Sequence, residues 1–303
     1  MAIALMEKKA LRFTIALSHD VDRTYKSYQF WTKAIQSLRA GKIKQSLYHK
    51  FSIFLKNPYW NFDRIIAIEK AHGVKSTFFF LDESIKFRLF KPSNWGLSLG
   101  RYKIDSPKIV EKIRWLDKNG WEVGLHGSYC SYNSALLLEK EKKRLENILG
   151  HEIIGIRQHF LNVDEETWKL QFEVGFRYDA SFGFTRDIGF KNNKYHPFFP
   201  SEKNQEFLVI PMAIMDECLM NKKDIQKEYL DLMDTAERNN GVLVLNWHQR
   251  IFNEREYPGY SKVYEEIIKE GKKRNARFAL LGAVYQEYAQ DRKSAKQNTD
   301  KGR

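Results

Sequence analysis

Acidic and imidazole side chains follow an apolar run near the start of the chain. The run at residues 13–17 is short and partly β-branched, and it leads into His19, Asp20 and Asp22. Two carboxylates two residues apart can divide the work of a hydrolytic site, one as proton acceptor and one as metal ligand. The alternative is a loop whose aspartates cap the next helix. This motif alone leaves both interpretations open.

The same pattern recurs further along the chain. The segments at residues 120–126, 155–159 and 241–248 each run from apolar residues into a histidine or an arginine. Folds built from parallel strands and helices place their chemistry at the carboxyl ends of the strands. We therefore expect the four strand ends to form one rim of a parallel barrel, with their ionisable side chains around a common site.

Helical stretches alternate with the strands and indicate the fold class. Helices are predicted at residues 62–72, 107–119, 135–149 and 167–174, and further strands at 74–80, 121–125 and 153–156. Gly150 is placed to end the third of these helices. The repeated strand–helix order predicts an α/β fold with a parallel sheet. A chain of 303 residues, 43% of them hydrophobic, can bury a core of that size.

Over roughly residues 11–285 the chain resembles the polysaccharide deacetylases of carbohydrate esterase family 4, especially a branch found among surface-glycan biosynthesis proteins. In that family a general-base Asp precedes a metal-binding Asp, and Asp20 and Asp22 match these roles with one residue between them. Arg157 matches an arginine that lies beside the base, and His248 matches a late strand-end histidine that acts as general acid. The resemblance implies an incomplete, distorted (β/α)7-type barrel.

The family motif His-Ser/Thr-x-x-His, which supplies two metal ligands, is half present. His126 matches the first histidine, but Cys130 stands where the second should be. Cys130 is one candidate ligand, because zinc accepts thiolate and residues four apart share a helix face. His159, two residues after Arg157, is another candidate, and in a third alternative no metal binds and Cys130 only packs. The expected ligands are Asp22, His126 and His159, holding a divalent cation that we expect to be zinc.

The chemistry implied by the resemblance is hydrolysis of an amide on an acylamino sugar, as N-deacetylation or N-deformylation in bacterial surface polysaccharide biosynthesis. Asp20 would accept the proton of a water acidified by the metal, and Arg157 would keep Asp20 ionised. His248 would protonate the departing amine. The alternatives are metal-independent hydrolysis of a small amide and a degenerate barrel that binds a glycan without turnover. Pure binding needs neither a base nor an acid, which argues against the last alternative.

Three further residues near strand ends are assigned to substrate binding: Tyr129, Asp179 and Trp247. Asp179 could instead cap a turn, and Trp247 could belong to the core. His19 could be a further ligand or a hydrogen-bonded structural residue, and we assign it to the outer shell of the metal site.

A basic insertion follows the first strand at about residues 23–62, with eight Lys or Arg residues and no Asp or Glu. Its apolar residues recur largely at helical spacing, which predicts amphipathic helices. Such a segment beside a catalytic mouth favours an anionic substrate, such as a nucleotide- or lipid-diphosphate-linked sugar, or a peripheral membrane contact. The alternative is a helical cap that packs on the barrel. Nucleic acid is not expected, because no recognition module is present. The eight cations are Arg23, Lys26, Lys33, Arg39, Lys42, Lys44, Lys50 and Lys56.

The remaining sequence features predict location and organisation. The net charge is +13, and two cysteines provide no disulfide framework in a chain of this length. The apolar stretch at the N-terminus is too short for a secretory signal, and there is no stretch of about twenty apolar residues that could span a membrane. We therefore expect a cytoplasmic protein, with the inner membrane surface as a place of contact. Residues 1–290 are predicted as a single domain and residues 291–303 as a polar, frayed tail.

Overall fold

A curled sheet of nine parallel strands is the centre of the structure within the described residues. The computed structural model describes residues 13–55, 57–201 and 205–300. The strands are β1 Thr14–Val21, β2 Thr77–Leu81, β3 Glu122–Gly127, β4 Gly155–Gln158, β5 Tyr178–Asp179, β6 Leu208–Val209, β7 Ile214–Met215, β8 Val242–Asn246 and β9 Arg277–Phe278. They pair in the order β6-β5-β4-β3-β2-β1-β8-β7, and β9 also pairs with β1. The predicted incomplete parallel barrel is confirmed.

Eleven α-helices lie within the same described residues. They are α1 Gln29–Arg39, α2 Ile43–Phe51, α3 Phe62–Ala71, α4 Pro92–Ser98, α5 Pro107–Lys118, α6 Ala135–Leu149, α7 Thr167–Glu173, α8 Asp216–Met220, α9 Ile225–Arg238, α10 Tyr260–Lys273 and α11 Leu281–Asp300. The helix predicted at residues 135–149 has those bounds, and Gly150 ends it in the left-handed conformation with φ of +84°. None of the helices in the described part of the chain is long and apolar enough to cross a membrane.

The first strand is longer than predicted, and this decides which side chains face the barrel interior. β1 continues through His19 and Asp20 to Val21, so the chemistry-bearing residues lie within the strand. Successive side chains of a strand point to opposite faces of the sheet. Asp20 therefore points into the barrel, where it meets the interior residue Arg157. His19 points to the helices that pack on the outside.

The same alternation separates two layers of hydrophobic core. Ala16 and Phe79 belong to a cluster inside the barrel, whereas their chain neighbours Leu17 and Phe78 belong to a larger cluster that includes helix residues such as Ile267. The inner cluster also contains residues from the start of α11. The inner cluster separates polar interior side chains at the carboxyl ends of the strands, among them Asp20, from Glu122 and Thr77 at the amino ends, which bond to each other.

The basic insertion forms a helical hairpin in which Gly41, with φ of +70°, lies between α1 and α2. The two helices are joined by a hydrogen bond of 2.8 Å from Ser46 Oγ to the carbonyl of Ala34. The helical prediction is confirmed, but most large apolar side chains of the hairpin are exposed to solvent. In an ordinary cap these side chains would pack on the barrel, whereas here Lys33 and Gln45 hold the hairpin to Glu256 and the apolar face stays outside. Lys56 lies outside the described residues.

The end of the chain also differs from the prediction. Helix α11 continues to Asp300, so residues 291–300 are helical, whereas a frayed tail was expected. Low apolar content does not prevent a helix, because straight-chain polar residues and alanine have good helix propensity. Residues 301–303 and the N-terminal segment 1–12 lie outside the described residues.

A buried polar network joins the outer face of β1 to the helices. Glu69 of α3 accepts hydrogen bonds from Tyr264 of α10 at 2.8 Å and from Trp121 at 2.5 Å. His19 Nε2 lies 2.9 Å from the same carboxylate, and His19 Nδ1 lies 2.5 Å from the carbonyl oxygen of Trp247. Both ring nitrogens of His19 are thus engaged in the core, and the predicted place for His19 in the outer shell of the metal site is wrong.

This network generates a prediction about stability. We expect Glu69→Ala to lower the free energy of unfolding by about 3 kcal/mol or more, because it leaves several buried polar groups without a partner. The matched control is Glu265→Ala on α10, whose partly exposed carboxylate pairs with His72 and Lys269. We expect a loss of less than about 1 kcal/mol there. Urea unfolding followed by circular dichroism measures both, and equal losses would contradict the assignment.

Candidate active site

Side chains from four neighbouring strand ends meet at the mouth of the barrel. Asp20, Asp22, His126, His159 and His248 all line one cavity of about 430 Å³. Within the adjacent series β4-β3-β2-β1-β8, four strands carry or precede these residues, and β2, which carries none of them, lies between β3 and β1. The structure thus brings together the residues that the sequence predicts for the base, the acid and the metal ligands.

Asp20 is buried and is held by two hydrogen bonds. Arg157 Nη1 donates to Asp20 Oδ1 at 3.0 Å, and Asn246 Nδ2 donates to Oδ2 at 2.6 Å. Burial opposes ionisation of Asp20, but the charge of Arg157, assisted by His126 and His248, lowers its pKa below the ordinary value. Asp20 is therefore ionised at neutral pH and can accept a proton.

Arg157 is itself fully buried and held from several sides. Its Nε donates to the carbonyl of Ala180 at 2.9 Å, and Nη1 also donates to Ser18 Oγ at 2.9 Å. The guanidinium lies 4.6 Å from the centre of the Phe79 ring. These contacts fix the position of the charge, and Arg157 in turn fixes Asp20.

Asp22, His126 and His159 form the one group of possible metal ligands found in the described part of the chain. One candidate ligand atom from each residue lies within 4.8 Å of the other two. Asp22 Oδ1 lies 3.2 Å from His126 Nε2 and 3.9 Å from His159 Nε2. Carboxylate oxygen and imidazole nitrogen are donors that zinc and similar divalent cations accept.

A hydrogen bond orients His126, whereas His159 is kept neutral by burial and has Arg101 Nη2 at 3.5 Å from its Nε2. His126 Nδ1 lies 2.8 Å from the carbonyl oxygen of Arg157, which can only accept, so Nδ1 carries the proton and Nε2 presents its lone pair. His159 Nδ1 lies 3.6 Å from Glu83. Burial lowers the pKa of His159 to about 4, so that its imidazole is neutral at pH 7.

The donor set fits a divalent cation on one further observation. Asp22 Oδ1 is buried and makes no hydrogen bond of regular geometry in the described residues, its one close polar neighbour being His126 Nε2 at 3.2 Å, whereas Oδ2 accepts from Arg250 at 2.7 Å. An ionised oxygen without such a bond is costly to bury. A cation between Asp22 and the two histidines would satisfy it. Cys130 is exposed and lines a separate surface cavity, so the structure does not bring it to this group.

His248 is paired with an aspartate that the sequence analysis did not identify. His248 Nδ1 lies 2.7 Å from Asp216 Oδ2, and the same oxygen accepts from the backbone N–H of His248 at 2.5 Å. Burial opposes the positive charge on His248, but the Asp216 carboxylate outweighs burial and raises the pKa to about 9. The imidazolium can therefore act as a proton donor near neutral pH.

Three arginines give the cavity wall a positive character. Arg250 pairs with Asp22 and lies 3.6 Å from Glu217. Arg23 donates to the carbonyls of Leu99 and Gly96, and Arg101 Nη1 donates to the carbonyl of Asp22. Within the described residues, neither Arg23 nor Arg101 has a carboxylate at ion-pair distance. Burial and the neighbouring Arg101 lower the pKa of Arg23, as crowding of like charges requires.

The chain after His159 has an unusual backbone conformation. Phe160 and Leu161 have positive φ values of 59° and 55°, which bulky residues rarely adopt. Both residues line the cavity. Backbone strain of this kind is commonly found at functional sites, where the surrounding structure enforces it.

The three residues assigned to substrate binding do not line this cavity. Asp179 is fully buried, and its two oxygens accept from Ser181, Gln171 and Trp168, so it organises a turn in the interior. Trp247 is fully buried against Tyr264. Tyr129 lies in the separate cavity that contains Cys130. The structure thus favours the alternatives for Asp179 and Trp247, a turn cap and a core residue.

Several residues of the site were not found from the sequence. Asn246 ends the strand that precedes His248, and this position was a usable signal. Glu83 follows β2 by two residues and Arg250 follows His248 by two residues, so both had the same strand-end context as the residues that were identified. Asp216 is an acidic residue directly after a short apolar run, but its pairing with His248 depends on the complete fold.

Comparison with known proteins supports the fold. Two solved structures are similar over nearly the whole chain, and both proteins are described, by inference, as polysaccharide deacetylases. The one from Mycobacterium smegmatis has a TM-score of 0.61 at 16% identity and covers 96% of this chain and 95% of its own. The one from Pseudomonas aeruginosa PAO1 has a TM-score of 0.60 at 12% identity and covers 92% of this chain and 91% of its own. No family model and no curated protein matches the sequence significantly. The chain thus has the polysaccharide deacetylase fold, as its motifs predicted.

The ligand group leads to a prediction about metal content. We expect His159→Ala and His126→Ala to remove bound divalent metal to a similar extent, because each deletes one donor of the same group. Cys130→Ser is the control and should leave the metal content unchanged. Elemental analysis of protein purified without chelator measures all three. Loss of metal in the His126 and Cys130 variants, with metal retained in the His159 variant, would place the third ligand at the thiol.

Proposed function

We propose that the protein hydrolyses the amide bond of an acylamino sugar, releasing the acyl group as a carboxylate and leaving a free amine. One observation supports this most: the ionised Asp20 and the Asp216-paired His248 line one cavity together with the Asp22, His126 and His159 group. A base, an acid and a cation site in one cavity are what amide hydrolysis requires. The polysaccharide deacetylase fold supports a sugar as the substrate.

Asp20 is the proposed general base. Because its pKa is lowered, the Asp20 carboxyl group is ionised. A carboxylate of low pKa is a weak base, so Asp20 accepts a proton readily only from a water that has itself become acidic. A divalent cation held by Asp22, His126 and His159 would lower the pKa of such a water and polarise the acyl oxygen. Arg157 and Asn246 each bind one oxygen of Asp20 and so fix the orientation of the carboxylate.

His248 is the proposed general acid. An amine leaves an amide only with a proton, and the pKa of about 9 keeps His248 protonated at neutral pH. Asp216 binds Nδ1, which directs Nε2 into the cavity. His248 Nε2 lies 3.7 Å from Asp22 Oδ2, so the donor nitrogen faces the ligand group where the acyl carbon would react.

The proposed substrate carries a negative charge in addition to its sugar. Arg23 and Arg101, which have no carboxylate at ion-pair distance within the described residues, both line the cavity, and its volume of about 430 Å³ is in the range of small-molecule sites. A diphosphate group linked to a nucleotide or a lipid would match these cations. We place the reaction in the biosynthesis of surface polysaccharide, and we propose zinc as the metal because the donors are one carboxylate and two imidazoles.

A second candidate is hydrolysis without a metal. It is favoured by Arg250, whose guanidinium already neutralises one oxygen of Asp22 at 2.7 Å. The metal analysis of the unmodified protein distinguishes the two candidates, since the second requires turnover in protein that contains no divalent cation.

The base assignment leads to a prediction about turnover. We expect Asp20→Asn to abolish amide hydrolysis and to leave metal content intact, because Asp20 is not a member of the ligand group. Turnover of a nucleotide-linked acylamino sugar is followed by release of the acyl acid. Thermal unfolding is the control for folding, since the substitution removes the charge paired with Arg157. Retained turnover in a folded variant would contradict the role of Asp20.

The acid assignment predicts a difference between substrates. We expect His248→Ala to slow amide hydrolysis by roughly 10²–10⁴-fold, the usual effect of removing a positioned acid. An activated aryl ester should be affected much less, because its leaving group departs without a proton. The ratio of kcat/KM values for the two substrates is the measurement. Equal losses for amide and ester would show that His248 acts in another way.

A further inference from the structure

Exposed apolar side chains are concentrated in two segments of the chain. Of the large hydrophobic residues that are exposed in the described part, all except Leu136 and Phe160 lie between residues 25 and 55 or between residues 87 and 95. Scattered exposed hydrophobic residues are normal on a protein surface, but a concentration of this kind marks a contact site.

In the helical hairpin, each helix presents one apolar row. Trp31, Ile35 and Leu38 of α1 recur at intervals of four and three residues, and each is more than half exposed. Ile43, Leu47 and Phe51 recur at intervals of four in α2 and are at least 50% exposed, and Phe54, just beyond, is 84% exposed. The buried residues of α1 are small or polar, among them Ala34 and Ser37. The hairpin therefore has its apolar side outward.

The cations of the hairpin fall into two groups. Lys26 and Lys33 bind Glu256 at 2.9 Å and 2.7 Å, so these charges are neutralised inside the protein. Another four cations are exposed and have no carboxylate at ion-pair distance within the described residues: Arg39, Lys42, Lys44 and Lys50. These four lie among the exposed apolar residues of α1 and α2.

The second segment has the same character. Residues 84–104 contain no Asp or Glu. Phe87, Leu89, Phe90 and Trp95 are exposed there, with Phe90 at 95%, beside the exposed cations Lys86, Arg88 and Lys91. Hydrogen bonds hold this segment to the residues just before the hairpin, since Arg23 donates to the carbonyl of Gly96 and Tyr25 to that of Arg101.

We propose that the hairpin and residues 84–104 together form a docking surface for a membrane that contains anionic lipid. Exposed aromatic and aliphatic side chains would enter the interfacial region, while the unpaired Lys and Arg residues would meet lipid phosphates. The absence of acidic residues from both segments favours a polyanionic surface over a protein partner, whose interface would carry both signs of charge.

The docking surface adjoins the cavity. Gln29 and Lys33 of α1 line the cavity, and so do Gly96 and Arg101 at the end of the second segment. Both halves of the surface therefore contribute residues to the cavity wall. Docking requires no turnover, so this inference goes beyond the proposed hydrolase activity and fails or holds independently of it.

Vesicle sedimentation tests the proposal with the full chain. We expect the protein to sediment with vesicles of phosphatidylcholine and phosphatidylglycerol at low salt, and weakly with phosphatidylcholine alone. The triple variant Lys42→Gln, Lys44→Gln, Lys50→Gln should bind the anionic vesicles on the order of 100-fold more weakly, because each cation near such a surface contributes a similar share. Added salt should weaken the binding of the unmodified protein, since exposed charges are screened.

A control triple variant separates local from total charge. Lys118→Gln, Lys140→Gln, Lys223→Gln removes the same charge from exposed lysines outside both segments and should bind almost as well as the unmodified protein. An equal loss in this control would overturn the proposal, because net charge alone would then explain binding.

A double variant and its control test the apolar part of the surface. Leu38→Gln combined with Phe90→Gln should weaken vesicle binding by about tenfold or more, because two side chains can no longer be buried in the lipid. Leu136→Gln, at a position that is 80% exposed on α6, is the control and should have no effect. Thermal unfolding should be unchanged for all these variants, since exposed side chains contribute little to stability.

Two results would overturn the proposal. One is that the unmodified protein does not bind anionic vesicles at low salt. The other is that the exposed apolar residues cover each other in a dimer, which sedimentation velocity would detect as self-association abolished by Leu38→Gln, together with no binding to lipid.

Discussion

The buried ion pair between Arg157 and Asp20 is the interaction on which the site depends. The two residues belong to β4 and β1, which are separated in the sheet by two other strands. In a flat sheet, strands three positions apart would lie about 14 Å from each other. The distance of 3.0 Å between the two charged groups is reached because the sheet curls and both side chains point to its inner face. The ion pair can therefore form only because the sheet is curled into a barrel. Each of the two buried charges also needs the other, since either charge alone would be costly to bury.

Much of this arrangement could be predicted from the sequence, because local patterns carry it. The strand–helix alternation gave the parallel fold, and the helix at residues 135–149 was predicted with the observed bounds because Gly150 has a defined role at its end. The recurrence of His, Asp and Arg after apolar runs identified most of the residues that meet at the cavity. Their position at one edge follows from parallel topology, since all strands of a parallel sheet end at the same side, and the curl of the sheet then brings them together.

The errors and omissions depend on contacts between distant residues. His19 directly precedes Asp20, but strand alternation sends its side chain into the network around Glu69. The side chain of His19 points outward because β1 extends beyond His19 to Val21. The last residues of β1 are mostly polar, so the sequence did not indicate that the strand continues through them. Asp216 lies 32 residues from His248, and nothing local indicates that it pairs with that imidazole. Asp179 has the sequence context of a strand-end carboxylate, yet its neighbours satisfy it internally. A sequence pattern can thus locate the edge of the sheet at which a site lies. To determine which face of the sheet a side chain points to, the bounds of the strand are also needed.

Helix α1 belongs to two environments at once. Lys33 and Gln29 form part of the cavity wall, while Trp31 and Ile35 of the same helix face outward. A rigid helix cannot move one of these faces without moving the other. Any molecule that repositions the outer face would therefore change the affinity of the cavity for its ligand, and thermodynamic reciprocity requires that ligand in the cavity change the affinity of the outer face by the same factor. The position of the hairpin thus couples two equilibria: the binding of a ligand in the cavity and the contact of another molecule with the outer face of α1.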